Sequence, residues 1–392
     1  MYIKGVNLGN WLVLEKWMSP AIFEGTTAED EYYLPRQLSK ETYEARIKIH
    51  RAEYITERDF LHIKALNLNS VRIPIPYFIF GDRPPFIGCI QELDNAFNWA
   101  IKYDLKVLLD LHTAPEGQNG FDNGGICGVC KWSQNPTEVE YVLSVLEKLS
   151  ERYGNNPALL GIEVLNEPIT ENTWNLFDIP NRYPAADPEM ARGSKPNTIE
   201  FLKEFYIQAY HRMRKYLPID KAIVIHDGFE LLAWKDFMQE DIYKNVILDT
   251  HQYLMIAEGT GCKQDLSAYL EYIQKHYAAQ IQEMSQYFPI ICGEWSLFNS
   301  LACGYDTKGG QNVFNGVSNE NSLLNNQNNF DKQKIYQEIS KAQLNAWHKG
   351  NGYFYWSYKL LIDTVNTTNW TGWDSWDFDR CMDLNYFKNR EI

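Results

Sequence analysis

Polar and ionisable side chains recur at one kind of place in this sequence, the ends of apolar runs. "GIEVLNEP" (161–168) closes on Asn166 and Glu167, and "PIICGE" (289–294) closes on Glu294. "SVRIPI" (70–75) carries Arg72, and "KVLLDLH" (106–112) ends in Asp110 and His112. "VILDTHQY" (246–253) ends in His251 and Tyr253, and "GYFYWS" (352–357) carries Trp356. A single polar strand end is explained by a solvated turn. A whole series in register is not, because burying such groups without a use is costly. Two carboxylates on different strands can divide a reaction between them. One protonates a leaving oxygen, while the other, ionised, attacks carbon or activates water. Such a pair needs two environments that keep the protonation states apart.

The elements that must position these residues are eight strand-like runs. The remaining two are "YIKGVN" (2–7) and "AIVIHD" (222–227). Most are rich in Val, Ile or Leu and nearly continuous in apolarity, which suits parallel strands covered on both faces. Helical spacing appears between them. Residues 55–67 place Phe60, Ile63 and Leu66 on one stripe behind Thr56 as a cap, and 135–154 carry Val142, Leu143, Leu146 and Leu149 and stop at Gly154. Residues 197–218, 265–286 and 331–350 follow the same pattern. Eight strands separated by helices predict a (β/α)₈ barrel, one catalytic domain over residues 1–392. An open doubly wound sheet is the alternative, but "GVNLGNW" after the first strand does not fit its glycine-rich phosphate loop. Long connections over 8–54, 168–197 and 295–330 all follow strand C-termini, where barrel active sites form, and read as pocket walls. On a barrel, Glu167 and Glu294 would stand on strands 4 and 7 across one mouth. That is the arrangement hydrolysis of a glycosidic bond requires.

Composition narrows the partners. Hydrophobic residues make up 45% of the chain and charged residues 22%, an ordinary globular balance. The net charge of -14 opposes nucleic acid. No apolar stretch approaches a membrane span. The 12 Trp, 25 Tyr and 19 Phe offer faces on which sugar C–H groups stack, although they also build cores. "CGVC" (127–130) is the one C-x-x-C among seven cysteines and has no second ligand pair, so no metal is expected and the thiols are expected reduced. "MYIKGVNLGNWLVL" lacks a signal-peptide pattern, which makes the expected location cytoplasmic.

The same residues carry a resemblance. "GVNLGNWLVLEKWMSP", "VRIPIP", "DLHTAPEGQNGFDNGG", "LNEP", "HQY", "CGEWS" and "FYWSYK", in that order, resemble glycoside hydrolase family five. Within it the chain is most similar to the exo-β-1,3-glucanases. The resemblance implies Glu167 as acid/base and Glu294 as nucleophile of a retaining reaction. It implies Asn166 on the sugar 2-hydroxyl, Arg72 beneath Glu294, Tyr253 donating to Glu294, and His251 near Glu167. It further implies His112 and Trp356 in the first sugar subsite, with Glu15 of "WLVLE" gripping hydroxyls at a closed end. The family's aromatic entrance clamp is altered. "YLMIAEG" puts Met255 and Ile256 where a Phe is usual, and Trp132 falls near the other clamp position.

The expectation is therefore a retaining, exo-acting β-glucosidase that takes an oligosaccharide or β-glucoside and uses no metal or cofactor. An endo-acting β-1,4- or mixed-linkage glucanase is the first alternative, and a non-catalytic carbohydrate-binding barrel the second. Nothing in the sequence fixes an oligomeric state.

Overall fold

The computed structural model describes residues 1–305, 328–362, 371–390 and 392. Eight strands, β1 (Ile3–Asn7), β2 (Ser70–Ile75), β3 (Lys106–Leu111), β4 (Leu159–Glu163), β5 (Ala222–His226), β6 (Val246–His251), β7 (Ile290–Trp295) and β8 (Gly352–Tyr355), follow one another around a closed barrel. The paired strands run parallel, and nearly every strand residue is buried, as continuous Val/Ile/Leu runs require.

The chain divides into two compact units. One comprises Leu8–Thr250 and Tyr287–Pro289. In it β2 pairs β3 without slippage, while the β3–β4 register shifts between Val107 and Leu108. The other comprises Met1–Asn7, His251–Gln286 and Ile290–Ile392. Here β8 pairs with both β1 and β7, and the β7–β8 register shifts between Cys292 and Trp295. Three steps along β7 match two along β8, so Gly293 and Glu294 sit in a bulge, a device that re-aims a side chain.

The expected helices at 55–67, 135–154 and 197–218 form as Glu57–Ala65, Pro136–Tyr153 and Ile199–Met213. Thr56 caps the first through a reciprocal box with Asp59. The stretch 265–286 is helical from Leu266 to Met284 and widens to a π-turn over Ile273–Ala278. The last expected helix, 331–350, begins earlier, as Asn328–Trp347.

Two helices add to the sequence reading and one strand end differs from it. The connection 8–54 contains Lys40–Glu53, a helix capped by Ser39, whose Oγ accepts from the Thr42 N–H. Its narrow stripe, Tyr43 and Ile47, packs on Leu14, Phe23 and Leu34. So few apolar residues in a highly charged segment leave a faint periodicity. A second helix, Ile90–Lys102, also went unread. Strand β4 ends at Glu163, earlier than expected. Beyond it the Val164 N–H still bonds Val224 O and the Asn166 N–H bonds Leu111 O, but the chain then turns and Glu167 takes φ +44°. Of the connection 295–330, residues 306–327 lie outside the described residues. No helix among the described residues is long and apolar enough to cross a membrane.

Gly352 opens β8 at φ +146°, and a Cβ there would sit 2.3 Å from the Ile3 carbonyl oxygen of the paired strand. Neither atom belongs to a flexible side chain that could move aside. Gly352→Ala is expected to cost about 3 kcal/mol. A urea unfolding midpoint equal to that of the parent protein would contradict this.

Candidate active site

In the larger unit, the site is built around one cation. Arg72 on β2 is fully buried. Its Nε donates to Glu163 Oε2 at 2.8 Å, and its Nη2 donates to Asn166 Oδ1 at 2.8 Å and lies 3.1 Å from Asp110 Oδ2. Asp110 Oδ2 also meets His112 Nδ1 at 2.5 Å. β2 and β3 are in direct register, with Arg72 opposite Leu108, so these side chains occupy neighbouring levels of one wall. Burial raises the Glu163 carboxyl well above the usual range. Arg72 pulls it down, while Asp249 and Asp110 push it up.

Glu167 is 4% exposed. Its Oε2 accepts from Asn123 Nδ2 at 2.8 Å. Asn123 stands on the short turn Asp122–Gly124 after β3, where Asn119 Oδ1 accepts the Phe121 N–H and Asn119 Nδ2 reaches Asn123 Oδ1. That second contact leaves Asn123 its NH₂ to give to Glu167. Gln118, fully buried, donates to both His112 O and Asn166 O, so one amide ties the ends of β3 and β4 together. Asp122 keeps some accessible surface, yet the segments around it desolvate its carboxyl and raise it to about 6, with Asp30 and Glu167 adding repulsion.

Glu15 is buried in a folded turn. Its Oε2 accepts from Trp17 Nε1 at 2.8 Å, and its N–H is held by Asn10 Oδ1. Trp132 does not stand at an entrance. It is fully buried, with Phe201 and Phe205 edge-on to its ring at centroid distances of 5.4 and 4.7 Å. Burial and these ring contacts put Trp132 in the core rather than at the expected entrance clamp.

In the smaller unit, Glu294 stands in the β7 bulge, 3% exposed. The Tyr253 hydroxyl donates to its Oε2 at 2.8 Å, and His251 Nδ1 is 3.5 Å from the same oxygen. Tyr277 fixes the Tyr253 segment by donating to its carbonyl at 3.0 Å. The bulge is pinned by Asn7, whose Nδ2 donates to Gly293 O at 2.9 Å and reaches Phe354 O and Tyr355 O. Trp356 follows β8, 3% exposed, with its N–H on Trp295 O and a cis peptide to Ser357.

In the larger unit the structure joins Arg72 to Asn166, and to His112 through Asp110; in the smaller unit it joins His251 and Tyr253 to Glu294. Sequence reading missed Glu163, Asn123, Gln118 and Asn7. For Glu163 there was a signal, a carboxylate inside the apolar run "GIEVL".

A closed parallel barrel with carboxylates, amides and an arginine at or just beyond its strands is the arrangement of a barrel enzyme. Comparison narrows this. The family model described as cellulase (glycosyl hydrolase family 5) matches residues 39–379, and the chain belongs to that family as a glycoside hydrolase. It is 34% identical over 382 residues to a probable glucan 1,3-beta-glucosidase A of Emericella nidulans, with 91% of this chain and 85% of that one covered. It is 30% identical over 387 residues to glucan 1,3-beta-glucosidase 2 of Wickerhamomyces anomalus, covering 91% and 83%. Among solved structures, rutinosidase from Aspergillus niger matches with a TM-score of 0.71 at 20% identity over 99% of this chain and 98% of that one. Endoglucanase Cel5A of Thermotoga maritima matches at 0.53 and 17%, covering 97% and 96%. These structural likenesses establish the shared fold.

The raised carboxyl of Asp122 has a measurable consequence. Its charged form is disfavoured in the fold relative to the unfolded chain, so the penalty is present above about pH 6 and gone below the unfolded value near 3.8. Asp122→Asn should therefore raise the melting temperature at pH 7.5 and leave it near the parent value at pH 4. Equal shifts at both pH values would refute the assignment.

Proposed function

We propose that this glycoside hydrolase is a retaining, exo-acting β-glucosidase of the glucan 1,3-β-glucosidase kind. The observation that carries the reading is a pair of enclosed glutamates, each held by a neutral donor, Glu294 by the Tyr253 hydroxyl and Glu167 by the Asn123 amide. The phenol hydrogen bond favours the charged carboxylate that a nucleophile needs at Glu294, and membership of the family supports Glu167 as the acid/base. In the first step the Glu294 oxygen bonds to the anomeric carbon as the C–O bond to the leaving group breaks. The Glu167 proton passes to that leaving oxygen. In the second step Glu167 takes a proton from water, the water oxygen bonds the same carbon, and Glu294 departs. Two inversions retain the β configuration. Asn166 would meet the sugar 2-hydroxyl, and His112, Trp356 and Glu15 would bind the remaining faces of one glucose. The buried position of Glu15 within an ordered wall supports a closed end and exo action. The named activity of the relatives supports β-1,3-linked glucose as substrate.

Two experiments test this. With a 2,4-dinitrophenyl β-glucoside and azide, Glu167→Gln should regain turnover because a good leaving group needs no acid, while Glu294→Gln stays inactive. Equal rescue of both variants would overturn the assignment. On laminari-oligosaccharides, glucose should be the dominant product from the earliest time points. Mixed oligosaccharides with little glucose would favour endo cleavage instead.

A further inference from the structure

Asn166 is only half satisfied. Its Oδ1 accepts from Arg72 Nη2 at 2.8 Å, while its Nδ2, equally enclosed, has no protein acceptor. A buried amide NH₂ in that state is costly unless a ligand completes it. Arg72 decides which way the amide faces. A guanidinium only donates, so the carbonyl oxygen must face it and the NH₂ must point away.

What holds Arg72 at that angle is the question. Asp110, 3.1 Å from Nη2, already supplies a countercharge. Glu163 is a second acid on the same guanidinium, and its Oε1 is buried without a partner. For charge balance alone it is superfluous, and burial of so much acid around one cation disfavours its ionisation. Its contact is directional instead. By accepting from Nε at 2.8 Å it holds a second nitrogen of the guanidinium, beside the Nη2 that meets Asp110 and Asn166, and so helps to fix the plane.

We propose that Glu163 is a positioning residue which, through Arg72, holds Asn166 with its NH₂ aimed at the 2-hydroxyl of the bound sugar. This rests on the β-glucosidase reading above. A hydrogen bond that strengthens in the transition state is worth more in rate than in binding. Loss of Glu163 should therefore lower kcat more than it raises KM, and only for sugars that carry a 2-hydroxyl.

The test compares 4-nitrophenyl β-glucoside with its 2-deoxy analogue. The parent protein and the Asn166→Ala, Glu163→Ala, Glu163→Gln and doubly substituted Asn166→Ala/Glu163→Ala variants are assayed on both. Asn166→Ala and Glu163→Ala should each shrink the ratio of kcat on the two substrates by roughly ten- to hundred-fold. The double variant should show no further loss, because both act on one contact. Glu163→Gln should recover most of the ratio, since its amide oxygen can still accept from Nε. If Glu163→Ala does not fold, Glu163→Leu takes its place. It fills the volume but cannot accept from Nε, so the same collapse is expected. Should Asn166→Ala collapse the ratio while Glu163→Ala, or its substitute, changes both substrates equally or neither, the positioning role is wrong and the site reading stands. Should Asn166→Ala leave the ratio unchanged, or the parent not cleave the glucoside at all, the site reading itself falls and this proposal falls with it.

Discussion

A guanidinium inside the barrel wall, fully shielded from water, is the constraint on which much else depends. An arginine so placed cannot shed its charge and is tolerable only with excellent partners. Arg72 obtains them from two following strands and from the segment just past β4: Asp110, Glu163 and Asn166. That requirement explains why β3 and β4 carry acids within otherwise apolar runs. It also binds the orientation of His112 and Asn166 to a single cation, since His112 is held by the same Asp110 oxygen that faces Arg72.

Glu294 is supported by different means. Its strand departs from regular pairing at the glutamate, and Asn7 fills the gap by donating to main-chain oxygens of β7 and β8. Glu167 likewise sits where regular structure has stopped, at φ +44°, a conformation that costs a non-glycine residue on the order of 1 kcal/mol. Gln118 and Asn123 hold that segment from the β3 side. Both glutamates are thus set by irregular backbone stabilised by side-chain amides, a common way for a scaffold to aim a group away from the direction its strand would dictate.

The connection after β1 shows how a polar loop residue becomes rigid. Asn10 accepts the Glu15 N–H and donates to Ser19, and Trp17 donates to the Glu15 carboxylate. The helix Lys40–Glu53 packs beneath through Tyr43 and Ile47. A glutamate held at both its backbone and its carboxylate is pre-oriented, so a ligand that uses it need not order it.

Sequence by itself determined the barrel, because eight continuous apolar runs alternating with 3.6-residue stripes admit few other ways to bury both faces of every strand. It also determined that Arg72, His112, Asn166, Glu167, His251, Tyr253 and Glu294 fall at or near the ends of those runs, a property of order along the chain. Tertiary structure alone decided which partners they have. Nothing in "GIEVL" says that Glu163 faces Arg72, nor in "GVNLGN" that Asn7 braces the bulge under Glu294, because such contacts join residues separated by 91 and 286 positions. The same reason accounts for Trp132, which the family resemblance put near an entrance clamp. Phe201 and Phe205 come from a distant helix, and only their arrival over the indole makes it core. Spacing along a chain reports which side of an element a residue occupies, but what it meets there depends on neighbours that folding brings from elsewhere.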